Sequence, residues 1–184
     1  MHLCNAIAEL ARKLATSACS NIDALTVCRL IPLNKNPGVR PIGIGEVLRR
    51  IIGKCIMDTV KDHNKKHAVN LQVCAGQKAG GEAAVHAMRT IFEEDDDCEA
   101  VLMVDASNAF NSINREAMLH NIRIKCPPFA QYVENTYNQP SNLYINSTNT
   151  EGRERIIHSV EGTTQGDPVA MAIYSLGMSN KDWV

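Results

Sequence analysis

Aromatic residues are scarce. One Trp, four Tyr and three Phe make up 4% of the 184 residues, so aliphatic side chains and the seven Met must fill a core. No apolar run approaches the length of a membrane span. CxxC pairs are also absent, and the seven Cys stand apart at 4, 19, 28, 55, 74, 98 and 126. An odd, scattered set with no signal-peptide pattern reads as reduced thiols in an intracellular protein, nucleus and cytoplasm being indistinguishable. Strong net charge is missing too: the formal value is −1, so total charge does not announce a nucleic-acid binder. There is no internal repeat and no low-complexity tract.

What is present is ordinary in bulk and uneven in detail. Hydrophobic residues make up 45% and charged residues 21%, as in globular proteins, and the length fits one domain or one domain and part of another. From Arg29 to Lys54 the chain carries Arg29, Lys35, Arg40, Arg49, Arg50 and Lys54 against the single acid Glu46, a local net of +5. From Phe92 to Asp105 it carries seven acids and no base. A basic segment can hold phosphates whatever the total charge.

Hydrophobic periodicity predicts a helix over 5–18, with Ile7, Leu10, Ala11, Leu14 and Ala18 on one face. "LTVCRLIPL" (25–33) reads as extended, "NKNPG" as a turn, and "VRPIGI" as a returning strand, together a hairpin with a basic tip. Val47, Leu48, Ile51, Ile52, Cys55, Ile56 and Val60 form a helical stripe. A short helix is expected over 82–92, and the apolar run Ala100–Val104 reads as a buried strand. Asn114 is placed to cap a helix reaching Lys125, which Pro127 and Pro128 stop, and a second helix covers 129–137. "NLYINS" and "RIIHSVEG" suggest another hairpin. A last helix runs over 166–177, with Pro168 in its first turn.

The chemistry concentrates in "VLMVDASNAF" (101–110). A carboxylate at the end of a buried strand faces the crevice where ligands collect in open sheets, and an acid there can hold a hard cation such as Mg²⁺. A loop or capping role is the plainer alternative for Asp105. Two other stretches bear on the choice: "EGTTQGDPVAMAIYSL" (161–176) and "LNKNPGVRPIGIGEVLRRIIGK" (33–54). The three together resemble, in order, the fingers hairpin, the first Asp motif and the Gln-Gly-Asp-Pro motif of reverse transcriptases. The style is closest to the enzymes of non-LTR retroelements and group II introns. The resemblance covers about residues 25–178.

That resemblance implies an α+β fold: right-hand polymerase fingers over 1–98 and an incomplete palm, an antiparallel sheet backed by helices, over 99–184. It implies RNA-templated DNA synthesis from dNTPs by two-metal phosphoryl transfer, with an RNA template and a DNA primer as partners and no membrane. Asp105 would hold Mg²⁺ together with the Ala106 carbonyl. Lys35 and Arg40 would grip the triphosphate, Arg40 through its planar fork. Phe110 would lie beneath the sugar and exclude a 2′-hydroxyl, although it could equally anchor the following helix. Gln165 would touch the nucleotide, and Gly166 would let the backbone approach closely. Asp167 and Pro168 suit a helix start. "GQKAGG" (76–81) resembles the segment that follows the template strand.

The family also uses an adjacent Asp-Asp pair downstream. No such pair follows Asp97 in these 184 residues, and Asp182 is the only acid after Asp167. The chain is therefore expected to be truncated before that motif and inactive as it stands. The alternative is a non-catalytic nucleic-acid-binding remnant of a retroelement polymerase. An unrelated Mg²⁺-dependent α/β protein would leave the order of the three motifs unexplained.

Overall fold

The computed structural model describes residues 2–67, 78–94, 99–145 and 155–178. In chain order the helices and strands are α1 (His2–Thr16), α2 (Asp23–Thr26), β1 (Cys28–Asn34), β2 (Val39–Gly45), α3 (Val47–His67), α4 (Gly80–Glu94), α5 (Ala109–Ser112), α6 (Arg115–Lys125), α7 (Pro127–Tyr137), β3 (Ser141–Ile145), β4 (Arg155–Ser159) and α8 (Ala170–Met178). The fold is α+β. Among the described residues the sheet has four strands in the order β2-β1-β3-β4.

Both expected hairpins form. β1 and β2 pair antiparallel from Cys28↔Gly45 to Asn34↔Val39, and β3 and β4 pair antiparallel from Ser141↔Ser159 to Ile145↔Arg155. The two hairpins join through a short parallel contact, Cys28↔Leu143 and Arg29↔Tyr144. Beyond Arg29 the β1–β2 arm leaves β3 and projects with only its own two strands. Pro32 sits opposite Pro41 in that arm, where missing N–H groups cost no ladder to a third strand. The sheet is mixed rather than wholly antiparallel, because β1 and β3 run in the same direction.

The core lies among α1, α3, α6, α7 and α8. Leu14, Ile52, Met118, Ile122, Phe129, Tyr132, Val133, Ile173 and Leu176 are essentially sealed from solvent. Each apolar side chain fully buried there contributes roughly 1.5–3 kcal/mol. Strands β1 and β2 come from the first expected region and β3 and β4 from the second, and the core likewise draws on both. The helix ends follow their local chemistry. Asn114 Oδ1 accepts from Ala117 N at 2.8 Å to start α6. Pro127 and Pro128 open α7 rather than merely ending α6, since proline fits the first turn, where N–H groups have no intrahelical partner. Asn135 closes α1 from outside, its Nδ2 donating to the Leu14 and Ser17 carbonyls.

Besides the mixed sheet, three expectations need correction. Residues 100–104 are not a strand: the backbone is irregular, and Leu102, Met103 and Val104 are more than 80% exposed. An apolar run becomes a strand only where a neighbour takes its N–H and C=O groups, and no described strand pairs with this one. The stripe on α3 is rotated from the one expected. Its buried positions are Arg49, Ile52, Gly53, Ile56, Val60 and Asn64, while Val47, Leu48, Ile51 and Cys55 are exposed. The last helix begins at Ala170, with a turn occupying 165–169 before it. No described helix is long and apolar enough to cross a membrane.

Candidate functional site

A cleft of about 390 Å³ opens between the projecting β1–β2 arm and the segment 105–111. Lys35 and Arg40 line it from the arm. Asp105, Ala106 and Phe110 line it from the facing segment, and Gln165 completes it. Six of the seven residues singled out in the sequence therefore share one wall or another of the same space. Gly166, the seventh, stands behind the lining.

Local geometry explains each position. Lys35 N donates to Gly38 O at 3.0 Å across the arm's tip, and Arg40 follows in β2 opposite Leu33. Both side chains are exposed. Asp105 and Ala106 are also exposed, at the end of an irregular segment rather than of a sheet strand. Asn108 takes a left-handed conformation (φ 51°) that turns the chain into α5. Asn is among the few non-glycine residues that adopt it readily.

Phe110 serves two surfaces. Its ring packs on Tyr174 with centroids 5.0 Å apart and planes at 45°, while the side chain also borders the cleft. Its carbonyl accepts from Thr163 N at 2.6 Å and from Thr163 Oγ1 at 3.2 Å. Gly162, at φ +68°, permits that approach, since a Cβ there would fall 2.3 Å from the Asn111 backbone. Gln165 is held from the other side, its carbonyl accepting from Gly43 N at 2.8 Å. Gly166, at φ +113°, allows the same turn to lie against β2, because a Cβ would sit 2.6 Å from Gly43 O.

Behind the cleft lies a buried polar cluster that sequence reasoning missed. Arg49 Nη2 donates to Asp167 Oδ2 at 2.6 Å, with the two side chains 2% and 4% exposed. Tyr137 OH donates to the same oxygen at 2.8 Å, and Arg49 Nη1 donates to Thr26 O at 3.0 Å. Asp167 Oδ1 accepts from Val169 N at 3.1 Å, the helix-start role expected of it. Two guanidinium groups approach the Tyr137 ring, those of Arg49 (5.2 Å from its centroid) and Arg115 (5.6 Å). Arg115 in turn donates to the carbonyls of Ser159, Glu161 and Gly162. Burial disfavours a charged Arg49, but the Asp167 carboxylate lies against it, and its pKa is raised. Burial, reinforced by Asp167, pushes the Tyr137 hydroxyl well above its usual value, so it stays protonated and donates.

Arg49 is thus not one of the cations open to phosphate, although the sequence places it in the basic segment. Its spacing carried the signal: position 49 shares a helical face with 52, 56 and 60. Arg115 and Tyr137 had no comparable mark.

The described residues do not make a complete two-metal centre. Among the described residues Asp105 is the one carboxylate lining the cleft, and no group of three or more His, Cys, Asp and Glu is arranged to hold a metal. Mg²⁺ usually keeps several waters and takes one or two carboxylates with substrate phosphates, so Asp105 and the Ala106 carbonyl would supply part of one ion's shell and leave a second ion without a carboxylate among the described residues. The template-strand segment lies partly outside the described residues, as does Asp182. No protein-family model matches the chain, and no curated protein matches it either.

Proposed function

We propose that the cleft is the nucleotide-binding part of a reverse-transcriptase-type polymerase site, on a fold of fingers and part of a palm. One observation carries the reading. Three stretches far apart in sequence, each resembling a motif of that family, contribute to one cleft: Lys35 and Arg40, Asp105 to Phe110, and Gln165. Two cations on one wall suit a triphosphate, and a flat ring on the other suits a sugar. Phosphoryl transfer asks chiefly for positioning and charge neutralisation, and these residues offer the positioning. The expected ligands are a dNTP, an RNA template and a DNA primer.

The basic arm should bind single-stranded RNA weakly and with steep salt dependence. In Lys35→Ala/Arg40→Ala the slope of log affinity against log salt should flatten by about 1.4, two phosphate contacts at roughly 0.7 each. Titrations at several salt concentrations check this, and an unchanged affinity and slope would remove the phosphate-gripping role.

A second reading, binding without catalysis, is favoured by Asp105 standing as the cleft's one carboxylate among the described residues. On that reading the 184-residue chain should not extend a primer on an RNA template with Mg²⁺ or Mn²⁺. Templated extension that Asp105→Asn abolishes would overturn it in favour of the catalytic reading.

A further inference from the structure

We infer that Tyr137 is a positioning residue: through Asp167 on one side and Arg115 on the other, it holds the Gln165 and Phe110 walls of the cleft in register. The inference rests on the nucleotide reading of the cleft and adds a device to it. The connections are continuous. Tyr137 OH donates to Asp167, two residues beyond Gln165, and accepts from Thr164 N at 3.4 Å. Asp167 is also gripped by Arg49 of α3, the helix that follows the β1–β2 arm directly. Arg115, also against the Tyr137 ring, binds the 159–162 stretch, which leads into Thr163 and its two hydrogen bonds to Phe110 O. Both tethers meet at one hydroxyl and one ring at the end of α7.

The cost of the cluster argues for a geometric role. Two opposite charges sealed from water lose hydration that their attraction only partly returns, and apolar side chains of similar size often stabilise as well. What apolar contact cannot supply is direction. Hydrogen bonds to a planar carboxylate fix the turn by angle as well as by distance. Lys35 and Arg40 lie nearer the tip of the arm than Gly43, the arm residue that the Gln165 turn touches. Loosening Tyr137 should therefore disturb the base-and-sugar side of the cleft and spare the phosphate side.

Tyr137→Phe separates the two sides, because it keeps the ring beside both guanidiniums and removes only the hydroxyl. The probes are dGTP and inorganic tripolyphosphate, each titrated well below the melting temperature. The wild-type chain should bind dGTP more tightly than tripolyphosphate. In the variant, dGTP affinity should fall about tenfold, toward that of tripolyphosphate, while tripolyphosphate affinity stays within about twofold. Amide exchange at Gly43, and at Thr163 beside the Thr164 N–H that loses the Tyr137 oxygen, should speed up together. A merely structural Tyr137 would lower both affinities in parallel through loss of folded protein, and that result would overturn the inference. So would exchange at Gly43 and Thr163 that does not change. If the wild-type chain binds tripolyphosphate as well as dGTP, the nucleotide reading fails, and the exchange at those two amides still decides whether Tyr137 sets the walls.

Discussion

Arg49→Ala should lower the unfolding free energy by about 3–5 kcal/mol, a large share of the 5–15 kcal/mol typical of a whole domain. The reason is the charge left behind. Asp167 is 4% exposed and would keep only Tyr137 OH and Val169 N as donors. Its carboxylate would have no cation and almost no water. The Thr26 carbonyl would lose its Arg49 donor as well. Neither partner is exposed enough for solvent screening to soften the loss. Replacing the charges together should behave differently. Arg49→Met/Asp167→Leu/Tyr137→Phe removes the ions and the hydroxyl at once, so no buried charge is stranded, and most of the lost stability should return. Chemical denaturation of the wild-type chain, the single variant and the triple variant measures both effects. A single variant as stable as wild type would show that Asp167 is not buried as described.

Phe110→Ala should change which nucleotide the cleft prefers. On the proposed reading the ring fills the space where a 2′-hydroxyl would sit, and a packed wall resists added atoms strongly. Competition between dGTP and GTP for the wild-type chain should favour dGTP. In Phe110→Ala that preference should shrink about tenfold or more, whereas Phe110→Tyr should keep it, because the ring remains. Stability should fall only moderately. Phe110 is half-buried, and its ring loses one partner, Tyr174, at 5.0 Å. Phe129, fully enclosed, would be far more costly to trim. An unchanged dGTP-to-GTP ratio in a folded Phe110→Ala chain would leave the residue as an anchor for α5 and α8 alone.

The two predictions divide along what could be read from the chain and what could not. Phe110 was legible because its place, five residues after Asp105, belongs to a local pattern. Arg49 and Tyr137 were not. One looks like any surface base in a basic stretch and the other like any tyrosine in an amphipathic helix. Their partners, Asp167 and Arg115, come from other parts of the chain.

By itself the sequence determined what depends on neighbours a few residues away. The β1–β2 hairpin follows from a turn-forming "NKNPG" between two extended runs, the start of α6 from Asn114, and the break between α6 and α7 from two prolines. It also marked the residues that meet in the cleft, because motif spacing is a local property. Tertiary structure alone decided the rest. Whether Val101–Val104 becomes a strand depends on a pairing partner, and an apolar run cannot provide its own. Which face of α3 is buried depends on what packs there, and the helix turned so that Arg49 met Asp167 rather than water. A charge or an unpaired backbone is favourable or costly only according to what stands opposite it, and in a folded chain that partner is set by the whole molecule.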